Sequence, residues 1–238
     1  MKEFIKKLNH GWILLYFIIY LVWFFYLGQI SADSFHAIEI SLDQYIPFNE
    51  WFIIPYYIWF PYVPLAIAYF FFTSREEYYR ICMFLFIGMT ICLIAYSIYP
   101  TGVYFRPDLN TLGRDNILMN MTKFIYNIDP GTNVCPSIHC FNSIGVAIAV
   151  LKCSRLNKKK WLTASIVILS TSICMSTVFV KQHSIVDFFY SVLLSVIMYC
   201  IAYVPKYDRL FAKTRLQPEL VECLPFNIRP VKSKKIVN

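Results

Sequence analysis

The chain has 238 residues, 58% hydrophobic and only 15% charged, and its formal net charge is +8. A soluble domain carries about 25% charged residues, so this composition excludes an ordinary globular domain and points to a bilayer. The basic excess calls for no nucleic-acid partner: it clusters at the ends of apolar runs, where it reads as a topology signal with attraction to anionic membrane lipids.

Windows long enough for a hydrocarbon core of about 30 Å predict an all-α, polytopic membrane protein with six spans. They run 11–31, 51–72, 80–99, 136–152, 161–180 and 182–203. The first run is too long for a signal-peptide core, and no small-residue cleavage site follows it. The second contains Pro55, Pro61 and Pro64, which a packed bundle tolerates because neighbouring helices satisfy the freed backbone groups. Lys2, Lys6 and Lys7, the 73–80 turn, the 152–160 loop and the chain after Val204 hold most of the lysines and arginines. The other ends have Arg106, Arg114, Lys123 and Lys181, and the first of those loops carries only acids: Asp33, Glu39, Asp43 and Glu50. The positive-inside bias therefore predicts both termini in the cytoplasm. The expected organisation is a six-helix membrane domain over 1–204 and a basic cytoplasmic tail over 205–238.

Between the third and fourth spans, 110–127 is expected to form a surface helix with Leu112, Ile117, Leu118, Met121 and Ile125 on its apolar side. The cysteines within spans read as small apolar residues, and no disulfide framework or CxxC metal motif is evident. His10 and His36 are assigned no role.

Polar chemistry concentrates in three places. In Cys135-Pro136-Ser137-Ile138-His139, a proline suited to the first helical position places Ser137 and His139 in the first turn, where unpaired N–H groups favour phosphate. A plain helix start with a capping hydroxyl is the alternative. In Lys181-Gln182-His183-Ser184-Ile185-Val186-Asp187, His183 and Asp187 are four apart and predicted to share a helix face. A carboxylate that fixes one ring nitrogen leaves the other free as nucleophile or base, and an ionisable pair in a span is costly enough to suggest function; a structural His–Asp pair is the alternative. Arg106-Pro107 lies on the same side, with the side chain best matched to phosphate oxygens.

Taken together, Arg106-Pro107, Pro136-Ser137-Ile138-His139 and Ser176-Thr177-x5-His183-x3-Asp187 resemble, in order and spacing, the three signature blocks of the type 2 phosphatidic acid phosphatase (PAP2) superfamily. The resemblance covers about 50–203 and departs from the pattern twice: Tyr99 stands where the first block has Lys, and Thr177 where the third has Arg. Tyr-Pro-Thr-x4-Arg-Pro (99–107) is similar to the branch of inositol-phosphorylceramide and sphingomyelin synthases. Lys181, four residues after Thr177, is a candidate substitute cation if the helix continues.

The resemblance implies a six-helix PAP2 bundle, a lipid phosphate substrate and no metal or cofactor. It implies that His183 attacks phosphorus to form a phosphohistidine, that Asp187 orients it, and that His139 serves as general acid and then base. Arg106, Ser137 and Lys181 would bind phosphate. The expected activity is hydrolysis of a lipid phosphomonoester or diphosphate at the extracytoplasmic face; the alternative is transfer of a phospho-headgroup to a lipid alcohol. A zinc hydrolase using His139, His183 and Asp187 as ligands, and a non-enzymatic transporter or pseudoenzyme, are the readings from other classes.

Overall fold

A computed structural model describes residues 9–30 and 35–205. The basic N-terminus and all but the first residue of the expected tail lie outside them. The architecture is helical. A 3₁₀ segment, Asn9–Leu15, leads into α1 (Tyr16–Ile30). Then come strand β1 (His36–Ala37), the short α2 (Ser41–Tyr45), α3 (Ile53–Thr73) and α4 (Arg75–Ile98). Strand β2 (Thr101–Gly102), α5 (Ile117–Ile128), α6 (Ile138–Lys152), α7 (Ser154–Asn157), α8 (Lys160–Phe179) and α9 (Ile185–Ala202) complete the order.

Among the described residues, five helical stretches are long and apolar enough to cross a membrane: His10–Ile30, Glu50–Thr73, Arg75–Ile98, Lys160–Phe179 and Ile185–Ala202. The expected fourth span differs. α6 has 15 residues, a rise of about 22 Å, and falls short of a hydrocarbon core. Its position supplies the reason. α6 packs against α3, α4, α8 and α9, so most of its surface meets protein and need not match the bilayer thickness by itself.

The packing around α6 is close because small residues allow it, as expected where no hydrophobic drive separates lipid from side chain. A Cβ on Gly88 of α4 would collide with the Phe141 ring, and one on Gly145 of α6 would lie 2.6 Å from Phe84. Phe84 and Phe141 stack with centroids 5.0 Å apart. Hydroxyls add a polar clamp: Tyr62 Oη lies 2.8 Å from Ser170 Oγ, which donates to Ser143 O at 3.0 Å. Pro61 and Pro64 sit inside an unbroken α3. By contrast, α1 contacts the bundle mainly through α4 and exposes Ile18, Ile19, Val22 and Phe25.

α4 begins earlier than expected because Ser74 caps Glu77 N and two acids, Glu76 and Glu77, occupy the first turn. The predicted surface helix forms only from Ile117, where Asn116 accepts from Met119 N at 3.0 Å. Residues 110–116 lie outside it. Met119, Thr122 and Ile125 form its buried side, whereas Ile117 is exposed.

The loops at one end of the bundle are stitched together. β1 pairs in parallel with β2, in register His36 to Thr101, and Gly102 bridges to Thr132. Asn49 N donates to Phe179 O, and Tyr126 Oη donates to Val180 O. Arg114 Nη1 meets Glu50 Oε2 at 2.5 Å. The 35–52, 99–137 and 180–184 segments therefore share one end. Lys152 ends α6 at the opposite end, and Arg155 and Lys158 follow it.

Candidate active site

His183 lies just outside a helix. α8 ends at Phe179, and Lys181 adopts a left-handed φ of 58°, so the chain turns instead of continuing. Thr177 O accepts from both Gln182 N and His183 N, at 2.9 and 3.0 Å, closing the helix end. Ser184 then caps α9, and Asp187 completes a capping box by accepting from Ser184 N at 3.0 Å. The same Asp187 Oδ2 stands 3.1 Å from His183 Nδ1. The His–Asp pair thus exists, but through a capped turn and not through the shared helix face that the i, i+4 spacing suggested.

Val134 O is the second partner of His183 Nδ1, at 3.0 Å. A carbonyl and a carboxylate only accept, so Nδ1 carries the hydrogen and Nε2 is left with a free lone pair. Burial works against the imidazolium, yet the hydrogen bond and charge of Asp187 outweigh it and hold the His183 pKa above its ordinary value. Asp187 is fully buried. Burial first, then the Asp187 charge, push the Cys135 thiol far upward and keep it neutral.

A second hydrogen-bonded centre supports this turn. Asp43, 1% exposed, reaches from α2 to α9: Oδ2 accepts from Ser184 Oγ at 2.6 Å and Oδ1 from Ile185 N at 2.9 Å. It also caps its own turn by accepting from Ile40 N at 3.0 Å. Sequence reasoning counted Asp43 only as one acid of a loop. No local pattern signals a partner 141 residues away.

The Ser137–His139 turn also differs from expectation. Ser137 is the cap of α6, accepting from Cys140 N at 3.4 Å, so Pro136 precedes the cap instead of occupying the first helical position. Ser191 Oγ donates to both Ser137 O and Asp187 O, at 2.9 and 2.6 Å, tying the start of α6 to α9. His139 is set among rings, 4.1 Å from the Trp59 centroid and 4.8 Å from Tyr56. Its ring centroid lies 5.6 Å from that of His183.

Both histidines wall a cavity of about 580 Å³. Trp59 and Phe60 of α3, Phe24 and Phe25 of α1, and Ile125 of α5 make much of it apolar, while Asp129, Thr132 and Gln182 add polar groups.

Arg106 approaches from behind that wall. Its Nη1 donates to Asp129 O at 2.8 Å, Nη2 donates to Gln182 Oε1, and the guanidinium lies 4.6 Å above the Tyr126 ring. Gly131, at φ 75°, makes room: a Cβ there would come within 2.6 Å of the guanidinium. Burial lowers the Arg106 pKa, and Asp129 raises it in return.

Lys181 points elsewhere. Its Nζ donates to Asp43 O at 2.6 Å and Ile46 O at 2.5 Å, facing the Phe105 ring at 5.3 Å. Tyr99, at the position of the missing lysine, stacks on His36 at 4.0 Å, and Thr177 is buried with its hydroxyl on Cys174 O. His139 and His183 are thus brought together, with Asp187 behind the second; Ser137 and Arg106 stand one layer back, and Lys181 holds the α2 segment. Among the described residues no three His, Cys, Asp or Glu side chains converge to hold a metal ion.

A family model for the PAP2 superfamily matches residues 103–210. No curated protein and no solved structure gives a significant match. The matched stretch contains Arg106, the Ser137–His139 turn and the His183–Asp187 pair, so the resemblance to the PAP2 superfamily rests on the segment that builds this site.

Proposed function

We propose that the protein is a membrane lipid phosphatase acting through a phosphohistidine, with no metal. One observation carries the reading: His183 is fixed through Nδ1 by Asp187, leaving Nε2 available beside His139 in an apolar cavity. Nε2 attacks phosphorus, the bond from phosphorus to the lipid oxygen breaks, and His139 gives its proton to that oxygen. His139 then takes a proton from water, whose oxygen attacks phosphorus and breaks the P–N bond. Arg106, one layer back, and the positive end of α6 capped by Ser137 add favourable potential for charge on the equatorial oxygens; Lys181 contributes from further out by holding the α2 segment. The aromatic and aliphatic walls suit acyl chains. The location of the basic residues at the opposite end supports an extracytoplasmic site with cytoplasmic termini.

The test is phosphate release from a panel of lipid phosphates by purified protein, with acid-labile, base-stable phosphoprotein trapped on the way. Wild-type activity in His183→Ala would reject the assignment.

Transfer to a lipid alcohol is the second reading, and the charge around the site favours weighing it. Arg106 already faces Asp129, and Tyr99 and Thr177 bring no cation. So little positive charge suits a singly charged phosphodiester better than a dianionic monoester. Adding a lipid alcohol separates the two: capture of the phospho-group by the alcohol identifies transfer.

A further inference from the structure

Gln182 stands out among the cavity residues. It is 1% exposed, its Oε1 receives the Arg106 Nη2 hydrogen, and its Nε2 has no partner. The orientation of the amide is not ambiguous. A guanidinium can only donate, so the oxygen must face Arg106 and the NH₂ must face away. A buried donor without an acceptor is destabilising and therefore uncommon in a native fold.

Two further wall residues repeat the pattern. Trp59 Nε1 and Thr132 Oγ1 are buried without a hydrogen-bond partner, and both residues line the same cavity as Gln182. Trp59 packs on His139, and Gln182 directly precedes His183. The cavity thus presents unmatched hydrogen-bond donors beside each histidine. The complementary ligand is rich in acceptors, as a phosphoryl group is.

Resting on the phosphoryl-transfer reading, we infer that Gln182 is a phosphate-binding residue whose Nε2 donates to an equatorial oxygen of the group attacked by His183. It relays the Arg106 charge through a polarised amide. An uncharged donor then occupies the role vacated by the cation absent at Thr177.

Orthovanadate, which mimics the pentacoordinate phosphoryl state, is the probe, and the thermal midpoint of the full-length protein in detergent is the readout. Wild-type protein is stabilised by vanadate. Gln182→Glu keeps the size and the acceptor for Arg106 but turns an oxygen toward the ligand. Its half-saturating vanadate concentration rises about tenfold or more, while its midpoint without vanadate is unchanged or higher. Gln182→Met removes the donor without adding charge, and decides the matter if Gln182→Glu does not fold. A half-saturation within about twofold of wild type in a variant that melts like wild type overturns the inference and leaves the phosphoryl-transfer reading standing. Absence of a vanadate effect in wild type, together with no phosphate release from the lipid panel, overturns both.

Discussion

The two histidines of the cavity are held by opposite means. His183 is fixed by polar contacts: Asp187 and Val134 O on Nδ1, and Thr177 O on its backbone N–H. His139 is held by Trp59 and Tyr56, and its ring makes no hydrogen bond within the described residues. Polar contacts fix a tautomer and a lone-pair direction. Ring packing fixes a position but leaves both nitrogens chemically free. An attacking nucleophile needs the first, and a group that must give and then take a proton needs the second.

The strongest test of this contrast is removal of the fixed histidine. If His183 is the proposed nucleophile, His183→Ala lowers turnover by about 10⁴-fold or more, measured as phosphate release against wild type. Asp187→Asn is next, with a loss of about 10³-fold. It also moves the pH profile. Attack requires neutral His183, and the raised pKa keeps the ring protonated until the pH exceeds the ordinary imidazole value. Activity in wild type therefore rises with pH through that region. Without the carboxylate, burial is opposed only by the weaker charges of Cys140 and Asp129, so the His183 pKa falls and the acid limb of kcat/KM shifts to lower pH. A limb that stays in place would assign it to another group.

Replacing the loosely held histidine produces a smaller and different loss. His139→Asn lowers kcat by about 10²-fold. Substrates with a good leaving group, such as an aryl phosphate, lose less in the first step because they need no proton. Equal losses for good and poor leaving groups would remove His139 from the acid role.

The difference between the two corners also separates what was legible in the sequence from what was not. Pro136, Ser137, His139, His183 and Asp187 stood out because their spacing is local, and the apolar runs located the helices within a few residues. The failures have tertiary causes. The 136–152 run read as a sixth span because enclosure by four helices, which lets a 15-residue helix sit in the bundle without matching the bilayer, cannot be read from its sequence. Lys181 looked like a substitute cation because four residues make one helical turn, whereas its left-handed φ ends the helix and sends Nζ to Asp43 and Ile46. Asp43 and Gln182 went unnoticed because their partners lie 141 and 76 residues away.

Asp43 supplies the smallest predicted effect and the one that asks whether the polar corner needs its outer support. Asp43 touches neither histidine; it holds Ser184 Oγ and Ile185 N, and so the turn from which His183 and Asp187 project. Asp43→Asn keeps the shape but points an NH₂ at one of these donors, and the lost charged hydrogen bond costs about 2 kcal/mol of stability. If the turn is positioned through Asp43, kcat falls by about tenfold with KM little changed, since misaimed Nε2 weakens attack more than binding. Vanadate affinity, read on the same protein, then falls with kcat. Loss of thermal stability with kcat intact would make Asp43 a clamp for α2 alone, and the capping box of Ser184 and Asp187 would then suffice to aim His183.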